Sequence, residues 1–171
     1  SSIDEYGRYA FGSQGKIAQW NMARLADCLL PLVAECQNVS CDENLSLDDK
    51  KETQLQLALE KVEKIIHQFP SKFETAYYAM YANKLGMSQI DTPDKTLIEG
   101  VLEIMQTKRL DYTQTFYRLT QSLTDIVIAD ELKAELGDWY TRWLSVIEKT
   151  NYSDQDNNIE AALAIMSKNN P

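Results

Sequence analysis

Residues 7–32 read GRYAFGSQGKIAQWNMARLADCLLPL, and a change of pattern inside this stretch decides the fold class. Its first part is aromatic and punctuated by glycine, with Tyr9, Phe11, Gly12 and Gly15 following Tyr6. From Lys16 onward Ile17, Trp20, Ala23 or Arg24, Cys28 and Leu29 recur at three- and four-residue steps, the period of an amphipathic helix. An aromatic loop that feeds a helix packs onto something larger, while the helix opens a bundle. On this reading Trp20 anchors the first helix in a helical core. Cys28, on the apolar side, serves as a small core residue.

The same period recurs down the chain. The first helix is expected to run from Lys16 to the mid-thirties, bent or ended by Pro31. After a polar loop, Ser46 is a good N-cap, and Leu55, Leu59, Val62, Ile66 and Phe69 form one apolar stripe. Pro70 is expected to break that helix, with Ser71 and Glu74 forming the capping box of the next. That third helix carries Phe73, Tyr77, Tyr78 and Tyr81 and stops at Gly86 in left-handed geometry. Thr92-Pro93-Asp94 starts a fourth, in which Gly100 costs about 1 kcal/mol relative to Ala. Asp111 and Gln114 cap a fifth, residues 120–128 read as a loop or short turn, and a helix follows over about 130–149. Ser153 and Asp156 open the last. With no strand pair and no repeat, the chain reads as all-α: one irregular bundle of about seven helices over residues 1–171. Residues 1–15 are its aromatic loop and 37–46 a variable loop.

A chain of 171 residues is long enough to bury a core. The net charge of −9, with no run of Lys and Arg, speaks against nucleic acid as a partner. No apolar run is long enough to cross a bilayer, and no basic region followed by an apolar core suggests a signal peptide. The chain opens Ser1-Ser2-Ile3-Asp4 without an initiator Met, which reads as the start of a piece of a longer protein.

Candidate chemistry is sparse. His67 is the sole histidine, and a catalytic base would need an orienting carboxylate and a nucleophile that the sequence does not identify. A histidine in the last turn of a helix also suits the helix dipole. A di-iron bundle needs Glu-x-x-His on two helices, which one histidine cannot supply. Cys36 and Cys41 flank a polar loop and could form a local disulfide, join a metal site or remain free, and the rarity of cytosolic disulfides favours free thiols. Tyr77, Tyr78 and Tyr81 read as packing residues, and Asp48, Asp49, Glu60 and Glu63 as a solvated face. No Walker-spaced loop or nucleophile elbow is present.

Several words of this sequence nevertheless resemble one family. Gly7-Arg8-Tyr9-Ala10-Phe11 and Trp20-Asn21-x-Ala23-Arg24-Leu25-Ala26 are similar to the segment that follows the kinase-like active site in the selenoprotein O, or YdiU, family. Phe73-x-x-Ala76-x-x-x-x-Tyr81-x-x-Lys84-Leu85-Gly86 resembles a helix of that family ending in K-L-G. Arg109-x-Asp111-Tyr112-Thr113-x-Thr115-Phe116-x-x-Leu119 resembles another of its words, with Tyr117 where Arg is usual. Trp139 and Trp143 fit its tryptophan-pair region, and Met166-x-x-x-Asn170-Pro171 its M-x-x-x-N-P. Gly15 stands where the family often has Pro, and Cys36 to Lys51 has no clear counterpart. The family's metal-binding D-Y-G runs on into Pro and Phe-Gly-Phe, whereas Asp4-Glu5-Tyr6-Gly7 runs into Arg8-Tyr9-Ala10. Asp4 is therefore not read as a magnesium ligand.

The resemblance implies the helical C-terminal part of a kinase-like fold that transfers AMP from ATP to Ser, Thr or Tyr hydroxyls of proteins with Mg²⁺ or Mn²⁺. It puts the nucleotide- and metal-binding residues upstream of Ser1, so catalytic, cofactor-binding and metal residues are expected to be absent from this chain. The implied partners are the kinase-like lobe of its own chain, which residues 1–15 would face, and protein substrates, in a cytoplasmic setting. Self-association through Tyr6, Tyr9 and Phe11 is a further expectation. The competing reading is a free-standing helical interaction module.

Overall fold

The computed structural model describes residues 11–37, 46–87, 95–149 and 158–170. A 3₁₀ turn, Phe11–Ser13, leads into α1 (Gln14–Glu35) and α2 (Leu47–Lys84). There follow α3 (Lys95–Lys108), α4 (Tyr112–Gln121), α5 (Ile126–Leu136), α6 (Asp138–Lys149) and α7 (Asn158–Asn169). The fold is all-α, with no strand among the described residues. The chain divides into two compact units, Ser1–Glu74 and Thr75–Pro171, and the division falls inside α2.

In the first unit α1 begins at Gln14, so residues 11–15 are helical or 3₁₀ rather than part of the expected aromatic loop. Residues 1–10, with Tyr6 and Tyr9, lie outside the described residues. Gly15 has a packing reason: a Cβ there would come within 2.8–3.2 Å of the Phe73 ring. The far end of α1 is joined to α2 by polar contacts. Gln37 is buried; its side chain donates to the Val33 carbonyl at 2.6 Å and accepts from Lys61 Nζ at 2.5 Å. Gln54 in turn donates to the Gln37 carbonyl at 3.0 Å. Ser46 caps α2 as its sequence suggests, accepting from the Asp49 backbone N–H at 3.1 Å and donating to the Asp49 carboxylate at 2.6 Å.

Three further expectations about this unit need correction. Trp20 does not anchor a core: it is 50% exposed, with the Arg24 guanidinium 5.9 Å from its ring centroid. Cys28 is likewise exposed. Pro70 does not end a helix either, because α2 continues through it for another fourteen residues, to Lys84. A proline inside a helix removes one backbone hydrogen bond and crowds the preceding turn, at about 3 kcal/mol. Pro70 is exposed, so its ring meets solvent rather than a neighbouring helix, and good helix formers such as Ala76, Ala79 and Met80 follow. Ser71 is consequently an interior residue, and its hydroxyl donates back to the Gln68 carbonyl at 3.1 Å.

The second unit holds the hydrophobic core. Tyr81, Leu85 and Met87 from the end of α2 meet Leu97, Ile98 and Val101 of α3, Phe116 and Leu119 of α4, and Leu132 of α5. Trp143 and Ile147 of α6 and Ala162 and Met166 of α7 complete it. Helix α6 is the hub, touching α3, α5 and α7, while α4 also touches α7. Trp139 and Trp143 lie nearly parallel, ring centroids 6.0 Å apart and planes 6° from each other. Their indole N–H groups donate to backbone carbonyls, Trp139 to Leu97 at 2.7 Å and Trp143 to Leu85 at 2.9 Å. Gly100 is explained by this arrangement, since a Cβ there would sit 3.1 Å from Trp139 Cδ1.

Helix ends in this unit follow hydrogen-bond chemistry. At the end of α2 Met87 N–H reaches the Ala82 carbonyl at 2.7 Å and Gly86 N–H the Asn83 carbonyl at 3.2 Å, with Gly86 at φ 73°. That is the left-handed stop expected at Gly86. After α3 the same pair of bonds forms, Leu110 N–H to Met105 and Arg109 N–H to Gln106, but Arg109 takes the left-handed position at φ 55°. Asp111 caps α4 through Gln114 N–H at 2.8 Å. The loop expected over 120–128 is shorter than its composition suggests, because Asp125 accepts from the Val127 and Ile128 N–H groups and starts α5 at Ile126. The helix expected over 130–149 is in fact two, separated at Gly137, whose φ of 63° and ψ of −140° no helix accommodates. The caps expected at Thr92 and Ser153 lie outside the described residues.

Candidate functional site

The residues that came to notice as separate sequence words converge in the second unit on one partly buried cation. Lys84, on the last turn of α2, sends its ammonium to the Asn169 carbonyl at 2.7 Å and to Asn170 Oδ1 at 3.2 Å. Asn170, only 6% exposed, answers with its amide, which donates to the Lys84 carbonyl at 2.8 Å and to Thr120 Oγ1 at 3.0 Å. The Thr120 hydroxyl donates in turn to the Phe116 carbonyl at 3.0 Å. The ammonium also lies 5.4 Å from the Phe116 ring centroid and 5.7 Å from that of Tyr112, within cation–π reach.

Around this node runs an aromatic ladder. Tyr81 packs on Tyr77 (4.8 Å), Phe116 (6.0 Å) and Tyr112 (6.4 Å), and Tyr112 on Phe116 (5.0 Å). Burial, reinforced by the neighbouring Tyr112, pushes the Tyr81 hydroxyl well above the usual tyrosine range, so it stays neutral. That hydroxyl is buried and makes no hydrogen bond of good geometry. Burial lowers the Lys84 amine from its ordinary value, since water is replaced by two ring faces and two oxygens.

Chemically this is a fastening. Each polar atom of the node answers another, and helices α2, α4 and α7 are held through it. Asn170→Ala is expected to destabilise the chain by about 1–3 kcal/mol, because it deprives Lys84 and Thr120 of a buried partner. Urea denaturation measures this, and a variant as stable as the parent would show that the node contributes no net stability.

Among the described residues no group of three or more His, Cys, Asp or Glu is placed to hold a metal ion. His67 is exposed on α2, and Cys28 and Cys36 are exposed free thiols. Cys41 and Asp4 lie outside the described residues. Lys84, Thr120 and Asn170 were not singled out by chemistry in the sequence. Their pairing links positions 86 residues apart, and only the ending of two words, K-L-G and N-P, marked either.

Fold and node define an all-α protein whose second unit is fastened by a lysine–asparagine pair. Its sequence matches the family model described as Protein adenylyltransferase SelO over residues 1–171, so the chain belongs to that family. It is 40% identical over 171 residues to the Protein nucleotidyltransferase YdiU of Anoxybacillus flavithermus, covering all of this chain and 30% of that protein. It is 38% identical over 149 residues to the protein of the same name from Teredinibacter turnerae, covering 87% of this chain and 27% of the relative. With the one from Clostridium botulinum it shares 35% over 174 residues, again 30% of that relative's length. No solved structure matches the chain. No helix among the described residues is long and apolar enough to cross a membrane.

Proposed function

We propose that these 171 residues act as the helical supporting region of a cytoplasmic protein nucleotidyltransferase. The full enzyme transfers AMP from ATP to Ser, Thr or Tyr hydroxyls of proteins. Membership of the family and the printed names of the relatives support the reaction class. The observation that carries the supporting role is the use to which the family's words are put. Lys84, Tyr112, Phe116 and Asn170 fasten helices to one another.

ATP and Mg²⁺ or Mn²⁺ belong to the full enzyme in this reading. The reading as a free-standing interaction module draws on a different observation, the exposed apolar side chains of α1 and α2.

Incubation with ATP labelled in its α-phosphate separates the readings. The full-length enzyme is expected to place label on protein, and residues 1–171 alone are expected to place none. Labelling by residues 1–171 alone would overturn the supporting role. A full-length chain that leaves protein unlabelled would overturn the reaction.

A further inference from the structure

The first unit has helices but hardly a core. Among its described residues the buried apolar side chains are Ala34 and Ala58, whereas Leu25 is 58% and Ile65 60% exposed. Between α1 and α2 lies an apolar cavity of about 180 Å³, walled by Met22, Leu25 and Leu29 on one side and Val62, Ile65 and Ile66 on the other. Helices that present such a stripe bury it against a further element, and an exposed apolar patch marks an interaction surface.

We infer that this groove is the seat of another part of the same, longer nucleotidyltransferase chain. The inference rests on the reading given under Proposed function. The chain spans about 30% of the length of the curated relatives it matches over all its residues, so most of such a protein is available to cover the groove. The walls are apolar throughout, the character of permanent interfaces rather than of encounters between separately soluble partners. The polar contacts of Gln37 with Lys61 and Gln54 tie one end of the helix pair together, so the groove is formed in advance. A constant cover suits these features better than an occasional one.

Thiol labelling of the full-length protein tests this. With Cys28, Cys36 and Cys41 replaced by Ser, single variants Leu25→Cys, Ile65→Cys and Lys64→Cys are alkylated with N-ethylmaleimide, native and in urea. Lys64 neighbours Ile65 but is not among the groove walls. Relative to the unfolded rates, the two groove positions are expected to react about tenfold or more slowly than Lys64→Cys, as buried thiols do. Equal rates at all three positions would overturn the inference. So would protection that disappears on dilution, which would assign the groove to a second copy, or protection that requires another added protein. AMP transfer by the unsubstituted full-length protein is assayed in parallel. Protection without transfer would remove the enzymatic reading and leave the docking face standing.

Discussion

Trp143→Ala is expected to lower stability by about 3–5 kcal/mol, the range for deleting a buried aromatic ring. Trp143 is fully buried at the hub helix α6, parallel to Trp139 and in contact with Tyr140 at 5.4 Å. Its loss opens a cavity bordered by several helices at once, a site with little freedom to collapse. It also removes the 2.9 Å bond to the Leu85 carbonyl, a group just past the end of α2. That puts the expectation toward the upper end. Trp20→Ala provides the comparison: its ring is half exposed, and the change is expected to fall below about 1 kcal/mol. Urea denaturation followed by circular dichroism measures both. Equal losses at the two positions would mean that the core has been wrongly located.

Gly86→Ala is expected to cost about 2–5 kcal/mol, from two sources that add. The backbone there is left-handed at φ 73°, which disfavours any L side chain by about 1–2 kcal/mol. The new methyl would also stand 3.0 Å from Ala162 Cβ, 3.1 Å from Met166 Sδ and 3.3 Å from Ile147 Cδ1, in a packed core where overfilling costs a further 1–3 kcal/mol or so. Ala162→Gly in the same chain should return part of the packing loss and none of the backbone loss. A double-mutant cycle by chemical denaturation therefore separates the two. If Ala162→Gly returns nothing, the Ala162 contact contributes none of the loss, which then lies in the backbone and in the contacts with Met166 and Ile147.

Much of the fold was legible because helical periodicity and capping are local. Ser46, Gly86 and Asp111 do what their chemistry predicts. The expected number of helices also agrees with the seven α-helices formed by the described residues, but through two errors that compensate. Pro70 was given a break that α2 does not make, and Gly137 was denied one that separates α5 from α6. In both cases the local preference met a stronger demand. An exposed proline is tolerated where the rest of a long helix is well formed, and a glycine with positive φ turns the chain even within an apolar pattern.

The site was less legible, because periodicity says which face of a helix is apolar and not what covers it. Trp20 and Cys28 lie on a helical stripe, and their exposure could not be read from that stripe. The Lys84–Asn170 pair depends on the ends of α2 and α7 meeting, which no local signal encodes. The family resemblance flagged those positions without giving their purpose.

The placement of the three tryptophans has a practical consequence for observing the molecule. Trp139 and Trp143 are enclosed in the second unit, and Trp20 is half open to water in the first. Their emission therefore divides into a blue part sheltered from iodide and a red part open to quenching. Each unit carries its own lamp, so the melting of one can be followed without the other and without any added dye.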